Sequence, residues 1–256
     1  MSTLLLRLAA PMQSWGSSTR FKKLSTEREP TKSGIIGLIA AALGRERNQS
    51  IDDLAALRFG VRIDQPGELL RDYHTAHHPS NEKLAFISER YYLCDAVFVV
   101  GLESDDGPFL QEMETALQNP RFPLYLGRRS CPPSGQIVLG ISPLPLMEAL
   151  KTQEWQAQTW YMRKRKARPE IDLEIVMDAP FESTYTYTKR DLPISFGEEF
   201  RRYRFRGLTN DVRGALVKNP FSPEVVESSQ IDNLSQYETN HDPLSTLEVS
   251  DVSFKS

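Results

Sequence analysis

The sequence predicts an α+β fold built on an antiparallel sheet of the ferredoxin-like or RRM-like kind, with helices on one face. Two near-continuous apolar runs, residues 4–10 and 96–102, are typical of strands in the centre of a sheet. Along the chain the pattern changes from strand to helix, strand, projecting hairpin, strand and helix. This order approximates a split βαβ layer, and it leaves the other face of the sheet free to bind single-stranded RNA.

Polar side chains follow the first predicted strand. Pro11 ends the strand because it has no N–H to donate to a neighbouring strand, and Gln13, Ser14 and Trp15 come directly after it. A sheet presents side chains to a ligand at the ends of its strands, so Gln13 and Trp15 are candidate binding residues. The alternative is a plain exit from the strand, with Trp15 packed in the core.

The first predicted helix starts at a potential anion site. Thr31 or Ser33 can cap its N-terminus, and the free backbone amides beside Lys32 and Ser33 would attract an anion. The alternative is an ordinary capped helix with a solvated Lys32. The irregular loop before this helix contributes a further basic candidate, Arg20.

A second candidate for phosphate contact is the stretch Gly127–Arg128–Arg129. Glycine allows a close approach of the backbone, and adjacent arginines offer forked donors to a phosphate group. The alternative is a solvated or salt-bridged arginine pair. Further along, residues 163–168 contain five basic residues in six positions, which indicates a solvated loop or a contact with a polyanion.

The stretch from Arg202 to Arg206 predicts a two-sided strand. If it is extended, Arg202, Arg204 and Arg206 lie on one face, and Tyr203 and Phe205 lie on the other. One basic face and one aromatic face suit a strand wedged between a core and a polyanion, which makes Arg204 a candidate contact.

Charge is distributed unevenly along the 256 residues, whose formal net charge is −3. Residues 221–256 carry seven acidic residues and one lysine, a net charge of −6, so the remainder carries +3. We predict a body over residues 1–145 with a hairpin at about 70–93, a β-rich subregion over 146–220 packed on it, and a disordered acidic tail over 221–256.

The composition predicts a reduced cytoplasmic protein that does not span a membrane and needs no cofactor. The two cysteines, Cys94 and Cys131, form neither a CxxC pair nor a zinc-binding spacing. No stretch has the length and apolar character of a membrane span.

Several of these stretches, taken together and in order, resemble the CasD subunit family of type I-E Cascade, a CRISPR surveillance complex, within the RAMP superfamily. The segments that carry the resemblance are residues 6–16, 31–34, 70–75, 92–96, 125–132 and 190–193. The basic run 163–168 and the tail are not covered by it.

The resemblance implies an RRM-like body with a thumb hairpin in a cytoplasmic ribonucleoprotein complex. It implies that the protein holds the 5′ handle of the CRISPR RNA without cutting it and caps the filament of CasC-type backbone subunits beside the CasA-type large subunit. With the residue patterns above, it gives the candidate RNA-binding residues Gln13, Trp15, Arg20, Lys32, Ser33, Tyr73, His74, Arg128, Arg129 and Arg204.

Three other functions stay open from the sequence. A metal-independent endoribonuclease that processes precursor CRISPR RNA, as in type I-C relatives, would use the cluster Tyr73, His74, His77, His78 and Lys83 in the hairpin. A metal site in the same cluster is disfavoured, because adjacent histidines in a strand point to opposite sides. A scaffold whose arginines contact only other proteins is the remaining alternative.

Overall fold

The computed structural model describes residues 1–16, 23–78, 81–179, 187–197 and 201–225. The helices are α1 (Lys32–Ala42), α2 (Asp52–Ala56), α3 (Gly107–Gln118), α4 (Leu146–Thr152) and α5 (Thr159–Lys164). The strands are β1 (Ser2–Ala9), β2 (Met12–Gln13), β3 (Lys23–Leu24), β4 (Arg58–Gln65), β5 (Glu68–His78), β6 (Asn81–Cys94), β7 (Val97–Ser104), β8 (Val138–Ser142), β9 (Glu170–Asp178), β10 (Tyr187–Ser195) and β11 (Arg202–Lys218). None of these helices is long and apolar enough to cross a membrane.

The main sheet is antiparallel, and within the described ranges it has seven strands in the order β10–β11–β9–β4–β7–β1–β8. The two apolar runs form β1 and β7, which pair with Leu6 opposite Val100. Helix α1 connects β1 to β4, and helix α3 connects β7 to β8. The predicted mixed class with a large antiparallel sheet is therefore confirmed.

Helices α1 and α3 cover one face of this sheet. Every second residue of β1, represented by Leu4 and Leu6, packs with Ile35 and Ile39 of α1 and with Met113 of α3. Thr31 caps α1 by accepting a hydrogen bond from the Gly34 amide through its side chain, as the sequence predicts.

The second face is also covered, so the prediction of helices on one face only and of a free RNA-binding face is wrong. Leu5 and Val99 point to this side and pack against Leu150 of α4, Trp155 and Met162 of α5. The physical reason is in β1 and β7 themselves. Both are apolar at odd and even positions, and such strands require cover on both faces.

A buried arginine fastens the segment between α4 and α5 to the sheet. Arg62 of β4 is fully buried and binds Asp64 through two hydrogen bonds of 2.7 and 2.9 Å. Its remaining donors reach the backbone carbonyls of Leu150, Gln153 and Glu154. Asp64 completes the attachment by accepting a hydrogen bond from the backbone N–H of residue 156.

The chain after α5 continues the same sheet. Strand β9 pairs with β4, β11 pairs with β9, and β10 forms the outer edge. Residues 221–225 belong to the packed structure, because Phe221 contacts the second-face core and Ser222 is buried. The predicted start of the disordered tail at residue 221 is therefore wrong. The rest of the predicted tail, 226–256, lies outside the described residues.

Residues 70–93 lie in a β-hairpin formed by β5 and β6, as the sequence predicts. The hairpin is the connection between β4 and β7, two neighbouring strands in the middle of the main sheet. Tyr73 stands opposite Glu89, and the short strands β2 and β3 pair with β6 near the base of the hairpin. A second, smaller sheet therefore joins the hairpin to the body.

Candidate nucleic-acid interface

A cleft of about 1750 Å³ lies beside helix α1 and is the candidate interface. Its walls are α1 with the residues after it, the loop 122–132, and residues 195–197 with Tyr203. Among the described lining residues the charged ones are five arginines and one glutamate: Arg45, Arg47, Arg128, Arg129, Arg201 and Glu46. We call this cleft, defined by these residues, the basic cleft.

Aromatic side chains are interleaved with the arginines of the basic cleft. Phe122 and Tyr125 are exposed in the loop 122–132, and Phe196 and Tyr203 contribute to the opposite wall. Arginine donors and exposed rings are the two groups that grip the phosphates and stack on the bases of single-stranded nucleic acids. The composition of the cleft therefore suits a single-stranded polyanion with aromatic bases.

Arg128 joins the basic cleft to the hairpin. Its Nη2 donates to the carbonyl of Leu24 at 2.8 Å, and its guanidinium lies 4.6 Å from the centre of the Tyr92 ring. Burial raises the pKa of the Tyr92 phenol, but hydrogen bonding from Arg128 and Ser130 outweighs it, and the net pKa is lowered. The Nη1 of Arg128 is buried without a hydrogen-bond partner in the described part of the chain. The neighbouring Arg129 is exposed.

Gly127 is required by a close contact between two segments of backbone. A Cβ atom at this position would lie 1.6 Å from the Ser14 carbonyl oxygen, and the φ angle is +88°. The segments are joined on the other side by a hydrogen bond of 3.1 Å from the Ser14 amide to the Leu126 carbonyl. Only glycine allows this approach, so the predicted reason for a glycine before the arginine pair is present in the structure.

Gln13 and Trp15 are buried, which corrects the expectation that they offer their side chains to RNA. Gln13 Nε2 donates to the Ala96 carbonyl at 2.8 Å, and Trp15 Nε1 donates to Gln13 Oε1 at 3.1 Å. Trp15 is 1% exposed, and its ring packs against the backbone of α1 at Gly34. The Gln13 side-chain amide thus provides hydrogen-bond partners for a backbone carbonyl and for the Trp15 indole at the end of the strand. The alternative prediction, in which Trp15 packs in the core, is the correct one.

Lys32 is also buried, so the anion site predicted beside it does not present this cation to a ligand. Its Nζ donates to the Leu57 carbonyl at 2.6 Å and to Asp178 at 3.0 Å. Burial lowers the pKa of Lys32, against the opposing effect of Asp178. The backbone N–H of Lys32 donates to Asp191, so the anion at this helix start is a carboxylate of the chain itself. Ser33, by contrast, is half-buried and lines the basic cleft.

The strand β11 differs from its predicted two-sided pattern. Arg206 is buried and binds both Asp191 and Asp178, while Phe205 is 66% exposed. The physical reason is that Arg206 meets the carboxylates of Asp178 in β9 and Asp191 in β10, the two strands beside β11. Arg204 is exposed but does not line the basic cleft.

The hairpin candidates are separated from one another. Tyr73 and His74 are adjacent in β5, so they point to opposite faces of the hairpin, and both are exposed. The Arg71 guanidinium lies 4.6 Å from the centre of the Tyr73 ring. The side chains of His77 and His78, like that of Lys83, lie outside those that the structure describes.

Three of the ten predicted residues, Ser33, Arg128 and Arg129, meet in the basic cleft as accessible or half-buried side chains. Tyr73, His74 and Arg204 lie elsewhere on the surface, and Arg20 lies outside the described residues. The sequence patterns did not identify further cleft residues, among which are Arg45, Arg47, Phe122 and Tyr125. Two features of the sequence could have identified them: basic residues follow the end of α1, and aromatic residues lie close to the arginine pair.

Arg45 is held in place rather than free in solution. Its guanidinium forms a two-armed ion pair with Asp53, with one hydrogen bond of 2.6 Å from Nη1 to Oδ1. Hydrogen bonding to Arg45 lowers the pKa of the Asp53 carboxyl. The pair fixes one end of the cleft wall, since it joins the residues after α1 to the helix α2 that carries Asp53.

Comparisons with known proteins agree with the family resemblance. A family model described as "CRISPR-associated protein (Cas_Cas5)" matches residues 3–207. The CRISPR system Cascade subunit CasD of Escherichia coli (strain K12) is 39% identical over 158 residues, which cover 54% of this chain and 70% of that protein.

Two solved structures are similar to this chain along most of its length. One, described as "Crystal structure of Cas protein", has 38% identity and a TM-score of 0.65, and the match covers 86% of this chain and 97% of the other. The second, described as "CRISPR RNA-guided surveillance complex", has 27% identity and a TM-score of 0.70, with coverage of 91% and 100%. The chain belongs to the Cas5 family of CRISPR-associated proteins.

Proposed function

We propose that this protein is a non-catalytic, RNA-binding subunit of a CRISPR surveillance complex of the Cascade type, and that it holds the 5′ handle of the CRISPR RNA. The observation that carries this proposal is the basic cleft, with five arginines against one glutamate and exposed aromatic rings between them. The similarity to a Cascade CasD subunit gives the cleft its candidate ligand.

The residues of the basic cleft divide by the kind of contact they can make. Arg129 is exposed and offers a forked donor to phosphate, whereas Arg128 is fixed by Leu24 and Tyr92 and presents a pre-positioned guanidinium. Tyr125 offers a ring for base stacking. Phosphate contacts of this kind fix the register of a strand, and the rings and backbone groups can read its bases.

We further propose that the β5–β6 hairpin is the thumb of a ferredoxin-like body and contacts partner subunits. The order β8–β1–β7–β4, with α1 and α3 as connections, matches the strand order expected for such a body. Leu69, Tyr73 and Ile87 are exposed on one face of the hairpin. An exposed apolar face suits protein contact, for which the candidates are a CasC-type backbone subunit and a CasA-type large subunit in the cytoplasm.

The experiment is to assemble the complex with CRISPR RNA and either Arg129→Ala or Lys218→Ala. Both substitutions remove one exposed positive charge, but Lys218 lies at the end of β11, outside the basic cleft. We expect Arg129→Ala to reduce the RNA retained per complex and Lys218→Ala to leave it unchanged. Equal retention in both variants, with RNA present, would contradict the assignment of the cleft.

The endoribonuclease alternative is tested by incubating the purified protein with repeat RNA, with and without EDTA. Acid–base cleavage needs groups that converge on one phosphate, and Tyr73 and His74 point to opposite faces of β5. We therefore expect no specific cut under either condition. A defined cut that persists in EDTA and is lost in His74→Ala would replace the proposal by the metal-independent nuclease.

A further inference from the structure

The basic run of the sequence lies on the side of the sheet opposite the basic cleft. Its five cations, Arg163, Lys164, Arg165, Lys166 and Arg168, occupy the end of α5 and the turn after it. Helix α5 packs through Met162 on the second face of the sheet, whereas α1 lies on the first. We call these five residues the basic face; they are not part of the proposed RNA site.

Two arginines of the basic face are held by aromatic rings. The Arg165 guanidinium lies 3.5 Å from the centre of the Tyr161 ring, and that of Arg163 lies 5.0 Å from the centre of the Phe221 ring. No carboxylate of the described residues forms an ion pair with any of the five cations. The positive charge of this surface is thus uncompensated within the described part of the chain.

The last described residues run directly beside the basic face. Asn219 Nδ2 donates to the carbonyls of Met162 and Arg165 at 3.2 and 2.9 Å, and its backbone N–H donates to the carbonyl of Pro169 at 2.8 Å. Phe221 then contacts Arg163, and the described chain ends at residue 225. The described chain therefore ends four residues after its contact with Arg163.

The residues after 225 carry the opposite charge. Residues 226–256 contain six acidic residues and one lysine, a net charge of −5, against +5 on the basic face. We propose that the segment 226–256 binds the basic face of its own chain and acts as a built-in counter-anion that competes with nucleic acid there. Each surface ion pair is weak, but a segment tethered at the site has a high effective concentration.

An apolar contact can orient the segment on this surface. Trp160 is 50% exposed and lines a groove with Arg7, Thr159 and Arg163. The segment has apolar residues between its acids, of which Ile231 and Leu234 flank Asp232 most closely. A surface with exposed indole and cations would bind single-stranded nucleic acid without sequence preference if it were left open, so covering it restricts binding to the cleft.

The first test maps contact in the full chain by carbodiimide coupling, which joins a lysine amine to a carboxylate only where the two touch. We expect peptides that link Lys164 or Lys166 to acids of residues 226–256 at low salt, and their loss at high salt. Lys151 on α4 serves as the control lysine and should give no such link. Absence of the links, or links that form only between two chains on raising the protein concentration, would overturn the proposal.

The second test measures binding of a labelled oligothymidine, a probe without the handle sequence. One variant neutralises the segment by the substitutions Glu227→Gln, Asp232→Asn, Glu238→Gln, Asp242→Asn, Glu248→Gln and Asp251→Asn. We expect it to bind the probe about tenfold or more tightly than the unsubstituted chain at low salt. Adding Lys164→Gln, Lys166→Gln and Arg168→Gln, which spares the two stacked arginines, should remove the gain.

Two results of the second test would contradict the proposal. One is unchanged binding in the six-acid variant, which would mean that the segment does not compete at this surface. The other is a gain that survives the three substitutions, which would mean that the acids act elsewhere, for instance at the cleft. Retention of CRISPR RNA by the Arg129→Ala complex is a separate readout, so failure here leaves the proposed function untouched.

Discussion

The buried Asp191 carboxylate accepts two hydrogen bonds from the buried Arg206 guanidinium, at 2.6 Å from Nε and 2.9 Å from Nη2. The same carboxylate accepts the backbone N–H of Lys32 at the start of α1. Asp178 binds the side chains of both Lys32 and Arg206. These contacts join β9, β10 and β11 to the helix that forms one wall of the basic cleft.

We expect Asp191→Asn to destabilise the protein strongly at neutral pH. Without Asp191, the buried cations Lys32 and Arg206 share a single carboxylate of the described residues, that of Asp178. Losing one partner of a buried ion pair costs about 3–5 kcal/mol. Chemical denaturation at neutral pH measures this loss. The control is Asp105→Asn, which removes an exposed carboxylate whose partner is the N-terminal amine and should change the free energy of unfolding little.

The effect of Asp191→Asn should shrink in acid. Burial alone would raise the pKa of Asp191, but the hydrogen bonds from Arg206 outweigh it, so the pKa lies below its usual range. A carboxyl whose pKa is lowered by folding stabilises the fold above its unfolded pKa of about 4, and this stabilisation is lost as the pH falls through the folded value. A stability difference that stays constant down to strong acid would contradict this role.

Gly127→Ala should damage the basic cleft, whereas Gly135→Ala should not. Both glycines have positive φ angles, +88° and +75°, so alanine is strained at either position by about 1–2 kcal/mol. At Gly127 the new Cβ would meet a backbone atom, the Ser14 carbonyl oxygen at 1.6 Å. At Gly135 it would meet no heavy atom of the described residues within 4 Å, apart from those of Gly135 and its two chain neighbours. Thermal unfolding and RNA binding measure the difference, and equal losses in both variants would assign the effect to φ alone.

The salt dependence of RNA binding should reflect the number of phosphate contacts made by arginines of the basic cleft. Each phosphate contact to a single strand contributes about 0.7 to the slope of log affinity against log salt concentration. We expect Arg129→Ala to lower the slope by roughly this amount, and Lys218→Ala to leave it unchanged. A titration over several salt concentrations gives both slopes, and a flat response for the unsubstituted protein would favour a pure scaffold.

Ile87→Ser should weaken assembly without unfolding the protein. Ile87 is 64% exposed on the hairpin, so its replacement should change the free energy of unfolding by no more than about 0.5 kcal/mol. The matched control is Leu216→Ser, at a residue 58% exposed on β11. Co-purification of partner subunits is the measurement. Equal recovery of partners with both variants would remove this hairpin face from the interface.

The sequence was sufficient for the elements whose signals are local. The apolar runs gave β1 and β7, the hydroxyl of Thr31 gave the start of α1, and residues 70–93 gave the hairpin. Gly127 before two arginines was also a correct signal, because the close approach that it predicts involves a single neighbouring backbone segment.

The sequence was insufficient where a partner is distant along the chain. Lys32 and Asp178 are separated by 146 positions, and nothing near Lys32 indicates that a carboxylate will neutralise it. The same holds for Arg206, which looks like its exposed neighbour Arg204 until β11 is paired with β9 and β10, which carry Asp178 and Asp191. A strand pattern gives the alternation of faces, but which face meets a carboxylate is decided by the tertiary fold.

The cover on the second face could have been foreseen from β1. Leu5 lies between Leu4 and Leu6, and a strand whose central residues are apolar on both sides cannot leave either side in water. What the pattern does not reveal is the means of cover, which is the two short helices α4 and α5 and the segment between them that Arg62 fixes. In the sequence, a buried arginine on a strand looks like a surface residue. Its carbonyl partners belong to the backbone, so the side chains of those residues do not reveal the contact.

The place of the hairpin in the sheet has a consequence for how such proteins diversify. The register of β4 against β7 is set within the sheet, with Gly60 opposite Gly101, and does not depend on how far the chain travels between them. Closing a longer loop costs only slowly more entropy. Evolution can therefore change the length of the hairpin, or the residues on its surface, without changing the main sheet from which it projects.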